Sequence, residues 1–183
     1  RVGDGSKLSL SNSTFLDVGD VACGPGATLY VDGAAVADIL GTIVSEPRAE
    51  ALLAEPATTL TVGSTSFQGP VSGAAALVLR GASLTAGVVS VSGTAKSNVV
   101  LEQGASIEAK NLSIWGGGNC LRVTNSTVVL RSSTLGECTT GIHAAGASTL
   151  SLGSAEDPGG NTFGGVEGTV LRLEGPDIDT VDA

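Results

Sequence analysis

Methionine is absent from the 183 residues, histidine occurs once, and Lys plus Arg number nine against eighteen Asp plus Glu. The resulting charge of −9 excludes nucleic acid as a partner, because phosphate backbones are held by basic stripes that this chain lacks. The same shortage of cations argues against an anionic membrane surface. Long apolar runs are missing too. Ala74 to Leu79 is among the longest, far short of the roughly 20 residues that span a bilayer, so no membrane insertion is expected. With one Trp, one Tyr and three Phe, the core is not built on large rings. Without Met, and with no apolar h-region in Arg1 to Lys7, the start does not read as a translation start. A trimmed or processed chain and a removed secretory signal both fit.

What is present is small and repetitive. The 27 Gly, with many Ala, Ser, Thr and Val, suit thin layers of branched side chains joined at tight corners. Gly81-Ala82-Ser83-Leu84 returns as Gly104-Ala105-Ser106-Ile107, and an apolar residue follows seven positions later each time, Val91 and then Ile114. A repeat of about two dozen residues with short β-rich segments marks a stacked β-solenoid. Taking the apolar residue after each corner as a start gives Leu8, Leu29, Leu60, Leu84, Ile107, Val128 and Leu150, at intervals of 21, 31, 24, 23, 21 and 22. Leu10, Val31, Val62, Ala86, Ala109, Leu130 and Leu152 lie two residues on, with mostly polar residues between, which is the alternation of a strand with one face inward. A third strand recurs at Ala76 to Arg80, Val99 to Glu102, Leu121 to Thr124 and Val170 to Leu173, more weakly at Ile142 to Ala145.

Three strands and three corners per repeat predict an all-β fold, a right-handed parallel β-helix of about seven coils forming one domain over 1–183. That domain stands alone or is an excerpt of, or a repeat unit in, a longer chain. The long second interval predicts a short helical insert near 46–55. Ser45 is its N-cap, Pro47 lies in its first turn, Ala49, Leu52 and Leu53 share a face, and Pro56 stops it. Such an insert is either lateral packing or a docking element for a partner.

The corners Gly-Ala-Ser-Leu/Ile, the segments NSTF, NLSI and SSTL from Asn12, Asn111 and Ser132, the phrase Thr140-Gly141-Ile142 and the run Gly160 to Phe163 carry a resemblance. The chain resembles secreted right-handed parallel β-helix repeat proteins of the pectate-lyase-like superfamily. The resemblance spans nearly all coils and implies a fold, not an activity. Enzymes similar to this fold act on acidic polysaccharides through Asp clustered with Arg, Lys or His. Asp17 and Asp38 stand nine residues past Leu8 and Leu29, which would stack them as a carboxylate pair or a calcium site, with Asp20 close by. The later coils put Gly69, Gly93 and Gly116 there, and no cation joins the pair. His143 has no evident Asp partner, and no cofactor is implied.

Cys120 and Cys138 fall near one corner on successive coils and are candidates for a disulfide, the alternative being two small buried hydrophobes. Cys23 is then left free or bridges to another chain. Tyr30 and Trp115 are candidate glycan contacts, weighed against ordinary surface packing. Thr61 and Thr85 point outward as in an ice-binding array, which Glu108 and Val129 interrupt. Asn12, Asn111 and Asn125 begin glycosylation sequons. The reading that follows is a non-catalytic protein, extracellular or at a cell surface, serving as structural or adhesive material. Its partners are further copies stacked head to tail into fibres, or a surface polysaccharide. The alternative is a carbohydrate-binding or polysaccharide-processing domain.

Overall fold

The computed structural model describes residues 1–3, 5–16, 27–45, 47, 49–69, 73, 75–93, 96–175 and 179–182, the last four by backbone alone. The first turn holds β1 (Lys7–Ser11), β2 (Thr14–Leu16) and β3 (Leu29–Val31); the second holds β4 (Val36–Leu40), β5 (Ile43–Ser45) and β6 (Leu52–Ala54). Next come β7 (Thr59–Gly63), β8 (Thr65–Gln68) and β9 (Leu77–Arg80), then β10 (Ser83–Ala86), β11 (Val89–Ser92) and β12 (Ser97–Glu102). The fifth turn is β13 (Ser106–Lys110), β14 (Leu112–Trp115) and β15 (Asn119–Thr124); the sixth is β16 (Thr127–Arg131), β17 (Thr134–Gly136) and β18 (Thr140–Ala145). A last layer of β19 (Thr149–Ser151), β20 (Thr162–Gly164) and β21 (Thr169–Glu174) is followed by β22 (Asp179–Asp182).

Every third strand joins the same sheet. The orders are β1-β4-β7-β10-β13-β16-β19-β22 (sheet I), β2-β5-β8-β11-β14-β17-β20 (sheet II) and β3-β6-β9-β12-β15-β18-β21 (sheet III). All pairings are parallel, for example Leu84 with both Leu60 and Ile107. The protein is therefore an all-β solenoid of three parallel sheets. Five turns, the second to the sixth, have bonded neighbours on both sides in all three sheets. The outer layers are less complete, with Val2, Leu8, Leu10, Phe15, Leu152, Phe163 and Leu171 only partly buried against the core. Counting about seven equal coils is thus slightly off, since the terminal layers differ from the five between them.

Inward side chains form continuous ladders. Ala37, Leu60, Leu84, Ile107, Val128 and Leu150 stack in sheet I, Val44, Phe67, Val91, Ile114 and Leu135 in sheet II, and Leu52, Leu77, Val99, Leu121 and Ile142 in sheet III, all buried. Strands about 4.8 Å apart bring equivalent residues into contact, so each layer completes the burial of its neighbours. Left-handed backbone at Asn12, Gly41, Ser64, Asn111 and Ser132 turns the chain from sheet I into sheet II. Gly and Asn favour that conformation, which explains the recurrence of NSTF and NLSI. Buried corner hydroxyls are satisfied locally: Ser126 donates to the Thr124 carbonyl at 2.8 Å and Ser148 to that of Ala145 at 2.7 Å.

Two expectations need correction. Leu8 pairs with Ala37, which in turn pairs with Leu60. Leu29 lies in sheet III, next to Leu52. The first two intervals are therefore 29 and 23 residues, and the excess falls in the first turn, between β2 and β3. Ala37 is as fully buried as a Leu start, but small enough to escape a search for large apolar residues. The helix expected near 46–55 is absent: β6 occupies Leu52–Ala54, and none of the other described residues of that stretch is helical. Leu52 and Ala54 point into the core ladder of sheet III, and burial there outweighs local helix signals.

Candidate functional site

The register fixes the neighbours of Asp38. Asp38 stands one residue past its start, between Ser9 and Thr61 on the outer face of sheet I, with Lys7 Nζ 3.3 Å from its Oδ2. The spacing that pairs it with Asp17 counts from Leu29, which lies in sheet III. Asp17, Asp20 and Cys23 lie outside the described residues. No group of three or more Asp, Glu, His or Cys positioned to hold a metal occurs among the described residues.

Other charges meet across turns. Arg80 bridges Glu102 at 2.7 Å and Glu55 at 3.0 Å, linking three successive layers. The hydrogen bond with Glu102, chiefly, raises the Arg80 pKa above its ordinary value. Arg131 meets Asp157 at 2.5 Å and donates to the Ser151 carbonyl at 3.0 Å. His143 sits in a ladder between Arg122 and Arg172. Its Nε2 is sealed from solvent, 3.1 Å from Glu174 Oε2. Arg172 also pairs with Glu174. His143 and Arg172 together hold the Glu174 carboxyl below its ordinary pKa.

Tyr30 and Trp115 do not share a face. Tyr30 belongs to β3 in sheet III, with the Arg1 guanidinium 5.6 Å from its ring centroid. Trp115 ends β14 in sheet II, in register with Ser92 and Gly136. Gly136 leaves the space the indole needs: a Cβ there would stand 2.5 Å from Trp115 Cζ3 and 2.8 Å from Cε3. The ring lies over the backbone of the following turn, half-buried.

The backbone beneath it is fixed from two sides. Asn98, fully buried, donates its Nδ2 to the carbonyls of Trp115 at 3.0 Å and Gly116 at 2.5 Å. Cys120 and Cys138 are joined by a disulfide with Cα atoms 5.6 Å apart, stapling the fifth turn to the sixth beside the Gly116 to Gly118 corner. Sequence reasoning missed Asn98 and Gly136. Gly136 had a signal, since it falls one repeat after the only Trp; Asn98 had none, because its partners depend on how the corner folds.

Sheet II presents two outward lanes. One runs Thr14, Ile43, Ser66, Ser90, Ser113, Thr134 and Thr162; the other holds Leu16 and Ser45, then Gln68, Ser92, Trp115, Gly136 and Gly164. Ser45 donates to Gln68 Oε1 at 2.7 Å, which ties the second lane together where it passes from the second to the third turn. None of these residues is ionisable. The outer faces of sheets I and III, by contrast, carry Lys7, Asp38, Glu108, Lys110 and Arg131, and Arg122, His143 and Arg172.

No family model matches the chain, and no curated protein matches it. A solved structure of QnrB1, described as a plasmid-mediated fluoroquinolone resistance protein, aligns over 92% of this chain and 91% of that one, at 11% identity and a TM-score of 0.27. Likeness that faint carries no argument about function. No helix is long and apolar enough to cross a membrane among the described residues.

Proposed function

We propose that this chain is a non-catalytic, extracellular or cell-surface β-solenoid that serves as structural or adhesive material. It would be of the right-handed, pectate-lyase-like kind that its corner motifs resemble, and able to associate end to end into fibres. The observation that carries the reading is how the charges are used. Asp38, Glu55, Glu102, Asp157 and Glu174 each meet a cation on the same or an adjacent layer. General acid–base chemistry needs such groups free and convergent. A depression of about 490 Å³ is lined by Leu152, Ser154, Pro158, Asn161 and Phe163 among others, without an ionisable side chain.

The disulfide supports an oxidising compartment. Exposed apolar side chains on terminal layers, Leu16 at one end and Val170 and Leu173 at the other, support end-to-end association. Sedimentation and negative-stain microscopy over a wide concentration range test it. Oligomers that lengthen with concentration are expected, and monomers at every concentration would remove the fibre form. Depolymerisation of any polysaccharide by the purified chain would remove the non-catalytic reading.

A further inference from the structure

We infer that the outer face of sheet II binds a neutral glycan chain, with Trp115 as the stacking platform. This goes beyond the structural role above and stands or falls separately from it. The occupant follows from the chemistry of the face. A sugar ring has an apolar C–H side that packs on an indole and a rim of hydroxyls that both donate and accept. Trp115 supplies the flat apolar surface, one side resting over Gly136 and the ring as a whole partly exposed. Ser66, Ser90, Ser113 and Thr134 supply hydroxyls in one lane beside it, and none of these four hydroxyls has a hydrogen-bond partner among the described residues. Gln68 and Ser92 continue the lane that holds Trp115.

Charge decides the class of glycan. The molecule carries −9 overall, yet neither lane of this face has an ionisable residue. An acidic polymer would find no cation here, whereas a neutral one needs none. The geometry is also prepared in advance. Asn98 holds the carbonyls of Trp115 and Gly116, and the Cys120–Cys138 disulfide closes the neighbouring corner, so little ordering remains for binding to supply. Strands about 4.8 Å apart repeat the hydroxyls at a spacing commensurate with one pyranose unit, so a chain laid across the strands meets a similar lane at each residue.

The test uses the intact chain and the fact that Trp115 is its only Trp. Soluble β-glucan and mannan oligosaccharides are titrated while indole emission is followed, with polygalacturonate as the acidic comparison. Calorimetry serves the variants that lack the indole. A saturable emission change with a neutral oligosaccharide, insensitive to salt, is expected. Trp115→Ala should weaken binding about tenfold or more, and Ser90→Ala with Ser113→Ala by a smaller factor. Thr61→Ala on sheet I should leave binding unchanged. No saturable response to any neutral oligosaccharide, binding that survives Trp115→Ala in a folded variant, or tighter binding of polygalacturonate would each overturn the inference. Inhibition of ice recrystallisation that is lost with Trp115, without glycan binding, would also overturn it and reassign the face to a crystal surface. If Trp115→Ala fails to fold, Trp115→Phe and the double serine variant carry the same test.

Discussion

Removing the Cys120–Cys138 cross-link should lower stability by about 3 kcal/mol, and the loss should register first around Trp115. The two cysteines are 18 residues apart in sequence. In the chain-entropy account, closing a loop of that length removes about 11 cal/mol/K from the unfolded ensemble, or about 3 kcal/mol at 25 °C. Both residues are fully buried, so Cys120→Ala with Cys138→Ala also loses sulfur packing and adds to that figure. With a urea m-value near 2 kcal/mol/M, the midpoint should fall by about 1.5 M. A solenoid is held by nearest-neighbour contacts, so the deficit need not spread evenly along it. Indole emission reports the fifth and sixth turns, and far-UV circular dichroism reports the whole stack. In the double variant the emission transition should move to lower urea and run ahead of the dichroism; in the oxidised parent the two should lie closer together. Equal midpoints for parent and variant would refute the reasoning, because the bridge would then place no measurable limit on the unfolded chain.

Other consequences are simpler to check. Ile107→Ala opens a cavity in the middle of the sheet I ladder and should cost about 2–5 kcal/mol in chemical denaturation, whereas an effect under about 1 kcal/mol would mean Ile107 is not enclosed between Leu84 and Val128. Ala37→Leu should overpack the layer between Leu8 and Leu60 and destabilise by about 1–3 kcal/mol; a stabilised variant would argue against the register. Arg80→Ala breaks a half-exposed three-layer ion network and should cost only about 1 kcal/mol, less at high salt, as thermal melts with and without added salt would show. Glu174 has a lowered pKa in the folded protein, so its stabilising contribution is present above the ordinary carboxylate pKa and is lost as pH falls through the lowered value. Glu174→Gln should flatten that part of the acid limb, and an unchanged limb would count against the contact with His143 and Arg172.

How much was legible in the sequence depended on side-chain size. From Leu60 onward each start is Leu, Ile or Val, and Leu84, Ile107, Val128 and Leu150 do stack as their spacing implies. At Ala37 the same inward position is filled by a methyl group, and Leu29, in a strand of identical alternation, took its place in the reading. That one substitution moved the excess residues from the first turn to the second, suggested a helix where β6 lies, and aligned Asp17 with Asp38. The αL corners were visible as recurring Gly and Asn, because few residues tolerate positive φ. The setting of Trp115 was only half visible: its chemistry is in the sequence, but the bare backbone it rests on appears only once Gly136 is known to sit in register with it.

On sheet II the outward positions are what the fold leaves free. Inward positions are fixed by packing, and corners by backbone conformation, but outward positions on a parallel solenoid have no structural requirement beyond tolerance of water and of the next strand. Sheets I and III use that freedom to place charges, some of which form ion pairs between layers, Lys7 with Asp38 and Arg80 with Glu102. Sheet II stacks hydroxyls instead, Ser66, Ser90, Ser113 and Thr134, whose mutual contacts are worth less than a well-packed pair and whose polar atoms are left to the solvent. It also carries the only indole, over a glycine that forgoes a side chain and above an asparagine that holds the backbone still. No side chain fits at 136, since a Cβ there would meet the Gly164 carbonyl oxygen as well as the indole. A rigid ring on bare backbone, flanked by hydroxyls left to the solvent, is the arrangement that a ligand with one apolar side and many hydroxyls would complete.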